Sequence, residues 1–210
     1  MAAAEIGVIG LGVMGANLAL NIADNGYHVA VYNRTASRTE EFAAAAGSLA
    51  DRVTACATLE DFVAAIRPPR PVIIMVKAGE PVDQQIAALK PLVEADDIII
   101  DAGNANFRDT MRRFADLDGS GLTFIGMGVS GGEEGARHGP SIMVGGAEEA
   151  WNRVEPVLTA ISAKYQGEPC AAWLGENGAG HFVKTIHNGI EYADCLLYTS
   201  DAADDLLCVD

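Results

Sequence analysis

Four side chains near the carboxyl end of the chain combine the groups that acid–base chemistry uses. Lys184, His187, Asn188 and Glu191 stand at positions i, i+3, i+4 and i+7, so on an α-helix they share one face. At a rise of about 1.5 Å per residue, Lys184 and Glu191 lie about 10 Å apart along the axis and can both reach one small ligand. A neutral amine can take a proton and a carboxyl group can return one. The alternative interpretation is a solvent-exposed helix face with a favourable charge pair.

Three glycines near the amino end form a pattern that can hold a dinucleotide pyrophosphate. Residues 10–15 read GLGVMG, directly after an apolar run and directly before a helical pattern. Gly10 permits a tight turn, Gly12 lets the pyrophosphate approach the backbone, and Gly15 lets helix and strand pack closely. The free N–H groups at the start of the helix face the phosphates. An ordinary glycine-rich turn is the alternative, and the position between strand and helix favours the dinucleotide site.

The end of the second apolar run indicates which nicotinamide cofactor fits. NAD-binding domains usually carry an acidic residue there to hold the ribose hydroxyls, whereas this chain has Asn33, Arg34 and Thr35. Arg34 can make a planar, charge-assisted contact with the 2′-phosphate of NADP, and its two neighbours can add neutral hydrogen bonds. Because no carboxylate is present to repel a phosphate, the sequence predicts NADP as the cofactor. The alternative is that Arg34 is a solvated surface charge.

Three further loops carry groups suited to a small anionic substrate. Residues 76–79 (VKAG) and 101–104 (DAGN) lie at the carboxyl ends of predicted strands, where open α/β sheets bind ligands. Each can also be a strand-end turn with a polar cap. Residues 129–135 (VSGGEEG) add the Ser130 hydroxyl and two approachable backbone amides, which suit a carboxylate or phosphate group. The histidines that receive no functional assignment are His28, His138 and His181.

The elements that position these residues alternate between apolar runs and helical patterns. Runs without polar alternation suit strands buried on both faces, and they occur at residues 6–9, 29–32, 72–76, 98–100, 122–129 and 142–144. Helical patterns bounded by Gly, Pro, Asp or Asn occur at residues 16–25, 59–66, 81–93, 106–117 and 148–161. This alternation predicts an α/β fold with a Rossmann-like, doubly wound and mostly parallel sheet.

The composition fits a packed globular protein and excludes several classes. Half of the 210 residues are hydrophobic, and 29 Asp and Glu against 14 Lys and Arg give a net charge of −15. Because this charge repels phosphate backbones and anionic membranes, we expect neither nucleic acid nor a membrane as a partner. The four cysteines lack metal-binding spacing, so we expect no metal site and no disulfide framework, and a cytoplasmic protein.

Several of these motifs together resemble the amino-terminal part of the 6-phosphogluconate dehydrogenase family. The resemblance runs from about residue 4 to residue 194, and its most specific segments are GVSGGEEGA and KTIHNGIEY. It implies the NADP-dependent oxidative decarboxylation of 6-phosphogluconate to ribulose 5-phosphate and carbon dioxide, a step of the pentose phosphate pathway, without a metal.

The resemblance also implies roles for single residues. Lys184 is the implied general base for the substrate hydroxyl and then the acid that assists the keto intermediate. Glu191 is implied to protonate the enediol that remains after carbon dioxide departs. The implied substrate-binding residues are Asn104, Ser130, Gly131, Gly132, His187, Asn188 and Tyr192. The implied cofactor-binding residues are Gly10, Leu11, Gly12, Val13, Met14, Gly15, Asn33, Arg34, Thr35, Val76, Lys77, Ala78 and Asn104.

A fresh helical pattern that no strand follows predicts two domains of unequal length. We expect residues 1–176 to form the NADP-binding domain and residues 177–210 to begin a truncated all-α domain. The tail from about residue 195 departs from the family, in which a long helical domain follows, forms a homodimer and supplies basic residues that grip the substrate phosphate. We therefore expect the chain to bind NADP with little or no turnover. The alternatives are another β-hydroxyacid dehydrogenase, of the 3-hydroxyisobutyrate type, and a non-catalytic dinucleotide-binding module.

Overall fold

The computed structural model describes residues 3–205 of the chain, with side chains through residue 199. The last five residues of the predicted anomalous tail, including Cys208, lie outside the described residues. Within residues 3–205, no helix combines the length and the apolar character needed to cross a membrane.

Ten strands and eight α-helices make up the described chain. The strands are β1 (Ile6–Ile9), β2 (Val29–Tyr32), β3 (Val53–Ala55), β4 (Pro71–Ile74), β5 (Ile98–Asp101), β6 (Thr123–Ser130), β7 (Ser141–Gly146), β8 (Lys164–Tyr165), β9 (Glu168–Pro169) and β10 (Ala171–Trp173). The helices are α1 (Val13–Asp24), α2 (Ala36–Ala45), α3 (Leu59–Ala65), α4 (Glu80–Leu89), α5 (Phe107–Leu117), α6 (Gly132–His138), α7 (Glu148–Ile161) and α8 (Ala179–Asp205). A short 3₁₀ helix, Gly47–Arg52, precedes β3.

Eight strands form one sheet in the order β10-β7-β6-β5-β4-β1-β2-β3, and β8 pairs with β9 apart from it. Every neighbouring pair in the large sheet is parallel except β6 and β7, which run antiparallel. The order reverses direction between β1 and β4, as in doubly wound sheets that bind ligands at that point. The predicted Rossmann-like, mostly parallel α/β fold is confirmed.

The central strands are buried on both faces because a hydrophobic core lies on each side of the sheet. Every residue of β1 and β5 is buried. One core includes Leu18 of α1 and Leu158 of α7, and the other includes Phe62 of α3 and Leu89 of α4. This two-sided burial explains why the strands read as continuous apolar runs.

Helix α8 begins against the sheet and continues away from it. Its first residues contact β6 and β7, and it also contacts α5. From Gly189 to Thr199 every described residue is exposed. The predicted division between residues 176 and 177 stays a prediction, and the start of α8 is part of the sheet's packing.

Candidate cofactor and substrate site

The loop between β1 and α1 has the geometry that the three glycines predict. Gly10 has φ +97°, and a Cβ there would lie 2.9 Å from Cγ1 of Val76 and still closer to the carbonyl oxygen of Met75. A Cβ on Gly12 would meet nothing within 4 Å, so this side of the loop is open to a ligand. A Cβ on Gly15 would collide with the carbonyl oxygen of Gly10. Gly12 also begins α1 without a side-chain cap, which leaves the helix N–H groups available to an anion.

A cavity of about 570 Å³ opens beside this loop. Gly10, Arg34 and Thr35 line it together with Val76 and Lys77, so residues from three loops at the carboxyl edge of the sheet meet there. This cavity joins most of the predicted cofactor loops into one surface. Leu11 is buried, Val13 is exposed and Met14 is half-buried.

The cavity is also lined by a second arginine, which the sequence analysis did not identify as a candidate. Arg38, on the first turn of α2, is exposed and follows Arg34 by four residues. Among the side chains that the structure describes, neither guanidinium is paired with a carboxylate. Its four-residue spacing from Arg34 is the signal that could have identified it. Two free guanidinium groups give this end of the cavity a local positive charge on a chain whose net charge is −15.

Asn33 holds two cofactor loops together. Its Oδ1 accepts a hydrogen bond from the backbone N–H of Leu11 at 3.0 Å, and its Nδ2 donates to the carbonyl oxygen of Thr35 at 3.2 Å. The backbone N–H of Asn33 donates to Oγ1 of the buried Thr39 at 3.1 Å. Its side chain, predicted to contact the cofactor directly, is engaged in fixing the loop around Arg34.

The loop after β5 presents Asn104 on a fixed backbone. Asn104 itself is exposed, whereas Asp101, Ala102 and Gly103 before it are buried. The N–H of Gly103 donates to Oδ1 of Asp101 at 3.1 Å. A Cβ on Gly103 would lie 3.1 Å from the carbonyl oxygen of Val76, which places this loop beside the one after β4.

The loop after β6 turns sharply into α6. Ser130 is buried, Gly131 has φ +125°, and both Gly131 and Gly132 are exposed. A side chain at Gly131 would be strained and would meet the backbone of Gly135 at 2.9 Å. The predicted hydroxyl and the two exposed glycine amides therefore stand in adjacent positions at this edge of the sheet.

Lys184 lies on the face of α8 that contacts β6. A Cβ built on Gly128 would lie 2.6 Å from Cβ of Lys184, so only glycine allows this approach. Lys184 is half-buried, and this burial lowers the pKa of its amine below the ordinary value, while the carboxylate of Glu191 acts to raise it. A lysine with a lowered pKa is neutral over a wider range of pH and is a better general base near neutrality.

The other three residues that were predicted to share a helix face with Lys184 lie along the same helix. His187 Nδ1 lies 3.4 Å from Oε2 of Glu191 but makes no hydrogen bond to it. Asn188 is half-buried, and the side chain of Glu191 is 63 % exposed. Tyr192, also predicted to bind substrate, is 72 % exposed at the start of the free part of α8. The helix thus brings His187 close to Glu191, whose carboxylate also acts on the charge of Lys184, and it leaves Tyr192 exposed.

A buried polar network beneath the site was not predicted. Arg113, only 2 % exposed, donates to Oδ2 of Asp101 at 3.1 Å, to Oδ1 of Asp83 at 2.8 Å and to the carbonyl oxygen of Gly79 at 3.0 Å. The imidazole of His181 is fully buried nearby. The alternating pair Gly126 and Gly128 in β6 marks the close approach of α8, because glycine inside a strand often accompanies such an approach, but it does not indicate the partners of Arg113.

Comparison with known proteins gives one consistent family. The family described as the NAD binding domain of 6-phosphogluconate dehydrogenase matches residues 5–175. A decarboxylating 6-phosphogluconate dehydrogenase from Aggregatibacter actinomycetemcomitans is 59% identical over 194 residues, which is 92% of this chain and 40% of the relative. The chain thus spans about two fifths of that relative's length.

A solved structure of the same family is also more similar to this chain than one from a related family of dehydrogenases. A 6-phosphogluconate dehydrogenase from Plasmodium falciparum, studied without ligand, with its cofactor NADP+ and with its substrate 6-phosphogluconate, superposes with a TM-score of 0.91 at 41% identity, covering 95% of this chain and 43% of its own. A 3-hydroxyisobutyrate dehydrogenase from Mycobacterium tuberculosis gives a TM-score of 0.73 at 25% identity, covering 96% of this chain and 67% of its own. The second likeness is weaker in both sequence and shape.

Proposed function

Because the chain belongs to the 6-phosphogluconate dehydrogenase family, we propose that it is the NADP-binding part of an enzyme that oxidatively decarboxylates 6-phosphogluconate. The products are ribulose 5-phosphate and carbon dioxide. The observation that carries the proposal is the cavity in which the glycine loop, the two unpaired arginines and the loop after β4 meet. The chain supplies the cofactor site and the first residues of the catalytic helix.

The residues present fit NADP at both ends. The open side of Gly12 and the uncapped start of α1 suit the pyrophosphate, and Arg34 and Arg38 suit a 2′-phosphate. Val76, Lys77, Ala78 and Asn104 lie on the two neighbouring loops and complete the proposed site. When bound, NADP supplies the acceptor for the hydride that leaves the substrate.

Lys184 acts as the general base. Its neutral amine takes the proton of the substrate hydroxyl while the carbon that bears this hydroxyl loses a hydride. This step gives a β-keto acid and a protonated lysine. The protonated amine then stabilises the negative charge that develops on the carbonyl oxygen while the carboxylate leaves as carbon dioxide. Partial burial against Gly128 favours the neutral amine of Lys184, which is the form that the first step of the reaction requires.

Glu191 completes the reaction by giving a proton to the enediol that decarboxylation leaves. Its carboxyl group stands two helical turns from Lys184 and acts on the charge of that lysine. The loop after β6 holds an anionic group of the substrate, carboxylate or phosphate, through Ser130, Gly131 and Gly132. The hydroxyl groups of the substrate are contacted by Asn104, His187, Asn188 and Tyr192. These roles rest on the positions of the residues and on the family.

We further propose the wider setting that the family suggests. Residues 1–176 are the cofactor domain and residues 177–210 begin the helical one. The whole protein forms a homodimer in the cytoplasm, with no nucleic-acid or membrane partner.

An absorbance assay at the reduced-nicotinamide band tests the chemistry. We expect the purified chain, at high concentration with NADP and 6-phosphogluconate, to reduce NADP slowly or not at all, since it spans about two fifths of its relative. Any reduction should disappear in Lys184→Met, while calorimetry shows unchanged NADP binding. Reduction that persists in Lys184→Met, or a faster reaction with 3-hydroxyisobutyrate, would contradict the assignment.

A further inference from the structure

His181 is a fully buried histidine one helical turn before Lys184, and the mechanism above does not use it. Its Nε2 lies 3.1 Å from the carbonyl oxygen of Gly103, and its Nδ1 lies 2.8 Å from Oγ1 of Thr110. Burial lowers the pKa of His181, against the opposing field of the Asp101 carboxylate, and favours the neutral ring. Because a carbonyl oxygen only accepts, Nε2 carries the proton and Nδ1 accepts from the threonine hydroxyl.

This arrangement fixes both backbone polar groups of Gly103. Its N–H donates to Oδ1 of Asp101, and its carbonyl oxygen accepts from His181. Asp101 is in turn held by the guanidinium of Arg113 at 3.1 Å. The residue that follows Gly103 is Asn104, whose backbone position is therefore set by buried groups on β5, α5 and α8.

The same histidine also fixes α8. A Cβ on Gly126 would lie 3.0 Å from Nδ1 of His181, just as a Cβ on Gly128 would crowd Lys184. The two glycines are two residues apart on one face of β6, and the two side chains are three residues apart on one face of α8. His181 and Lys184 thus sit side by side in a groove that the glycines leave open.

We propose that His181 is a positioning residue, which holds Asn104 and Lys184 at a fixed separation by hydrogen-bonding the loop after β5 to the first turn of α8. The proposal rests on the proposed function, in which Asn104 contacts the ligands and Lys184 is the base. Without the bond to Gly103, the loop has to be ordered on binding. The first turn of α8, then held only by its packing on β6, β7 and α5, exposes Lys184 more to water.

Two variants of similar size separate the hydrogen bond from the volume of the side chain. His181→Gln keeps an N–H donor toward the carbonyl of Gly103, whereas His181→Leu removes it. Leu158→Ala, which truncates a buried side chain of α7 in the hydrophobic core, is the control for lost stability. Each chain is titrated with NADP by calorimetry, and the reactivity of Lys184 toward trace acetic anhydride is followed against pH by peptide mass spectrometry.

We expect His181→Leu to weaken NADP binding by about three- to tenfold, the size of a loop-ordering cost. The pH at which Lys184 becomes reactive should also rise toward that of an ordinary lysine. His181→Gln should stay close to the wild type in both measurements, and Leu158→Ala should change neither. Should His181→Leu fail to fold, Thr110→Val removes only the hydroxyl that faces Nδ1 and should move both quantities in the same direction by less.

The results distinguish the positioning role from the proposed function. Wild-type chain that is folded by circular dichroism but does not bind NADP would overturn the proposed function, and the Lys184 reactivity profile would still decide the link to His181. Wild-type chain that binds NADP while folded His181→Leu or Thr110→Val matches it in both measurements would overturn the positioning role alone. Equal changes in Leu158→Ala would overturn it as well.

Discussion

The side-chain oxygen of Asn33 accepts a hydrogen bond from the backbone N–H of Leu11 at 3.0 Å, across 22 residues of sequence. This bond joins the loop that faces the pyrophosphate to the loop that carries Arg34. A neutral amide therefore stands where NAD-binding domains usually place a carboxylate. The Asn33 amide thus keeps a hydrogen-bond acceptor for the N–H of Leu11 but lacks the negative charge of a carboxylate.

Exchanging that amide for a carboxylate tests its part in cofactor choice. Asn33→Asp keeps an oxygen for Leu11 but places a negative charge beside Arg34, so NADP binding should weaken by about tenfold or more relative to NAD. Asn33→Ala removes the tie without adding charge and should weaken both cofactors alike. The dissociation constants from calorimetry decide, and an unchanged NADP-to-NAD ratio in Asn33→Asp would contradict the argument.

The close approach of α8 to β6 predicts opposite effects for two glycines. Gly128→Ala places a methyl group 2.6 Å from Cβ of Lys184, and the overpacking should cost about 1–3 kcal/mol of unfolding free energy. Gly189→Ala, exposed on α8 with nothing within 4 Å of the added Cβ, should stabilise the chain by up to about 1 kcal/mol. Urea denaturation followed by circular dichroism measures both. Equal stability of the two variants would show that α8 does not pack on β6 as described.

The lowered pKa of Lys184 predicts a particular pH dependence. Because burial favours its neutral amine, Lys184 should remain reactive toward acetic anhydride at a lower pH than a lysine in an unfolded peptide. Glu191 acts to raise that pKa, so Glu191→Gln should move the reactivity to still lower pH. A shift to higher pH in Glu191→Gln would mean that the carboxylate does not act on the lysine.

The buried ion pair beneath the site should be costly to break from one side. Arg113→Met leaves the carboxylate of Asp101 buried without its cation, so it should lose about 3–5 kcal/mol of unfolding free energy. Arg113→Met combined with Asp101→Asn removes the unpaired charge and should lose less. Asp116→Asn, which breaks an exposed pair with Arg112, should cost less than about 1 kcal/mol and serves as the control. A double variant less stable than Arg113→Met would contradict this account.

The parts of the fold that follow local rules could be predicted from the sequence. Continuous apolar runs identified six strands of the large sheet, because strands buried on both faces need no polar alternation. Strand β4 ends at Ile74 rather than at the predicted residue 76, so Val76 belongs to the loop that lines the cavity. Strand β3 was missed because its three residues are only partly buried and carry no such pattern.

Some residues of the candidate site could likewise be predicted from the sequence, and others could not. Gly10, Gly12 and Gly15 could be interpreted from the sequence, because their spacing between an apolar run and a helical pattern is a local signal. His181 could not, because its partner Thr110 is 71 residues away and the space for its ring is left by Gly126 on a third element. Buried polar contacts of this kind depend on the finished fold, and a lone histidine in a sequence gives no sign of them.

Comparing NADP with NAD on the wild-type chain and on Arg34→Ala is the most direct test that this chain is an NADP-binding part of its family. We expect calorimetry to give tighter binding of NADP than of NAD to the wild type, by about tenfold or more, as one charge-assisted contact to the 2′-phosphate supplies. In Arg34→Ala that preference should shrink while NAD binding stays nearly constant, and Arg34→Ala with Arg38→Ala should remove the rest. A folded wild-type chain that binds both cofactors equally, or neither, would contradict the account.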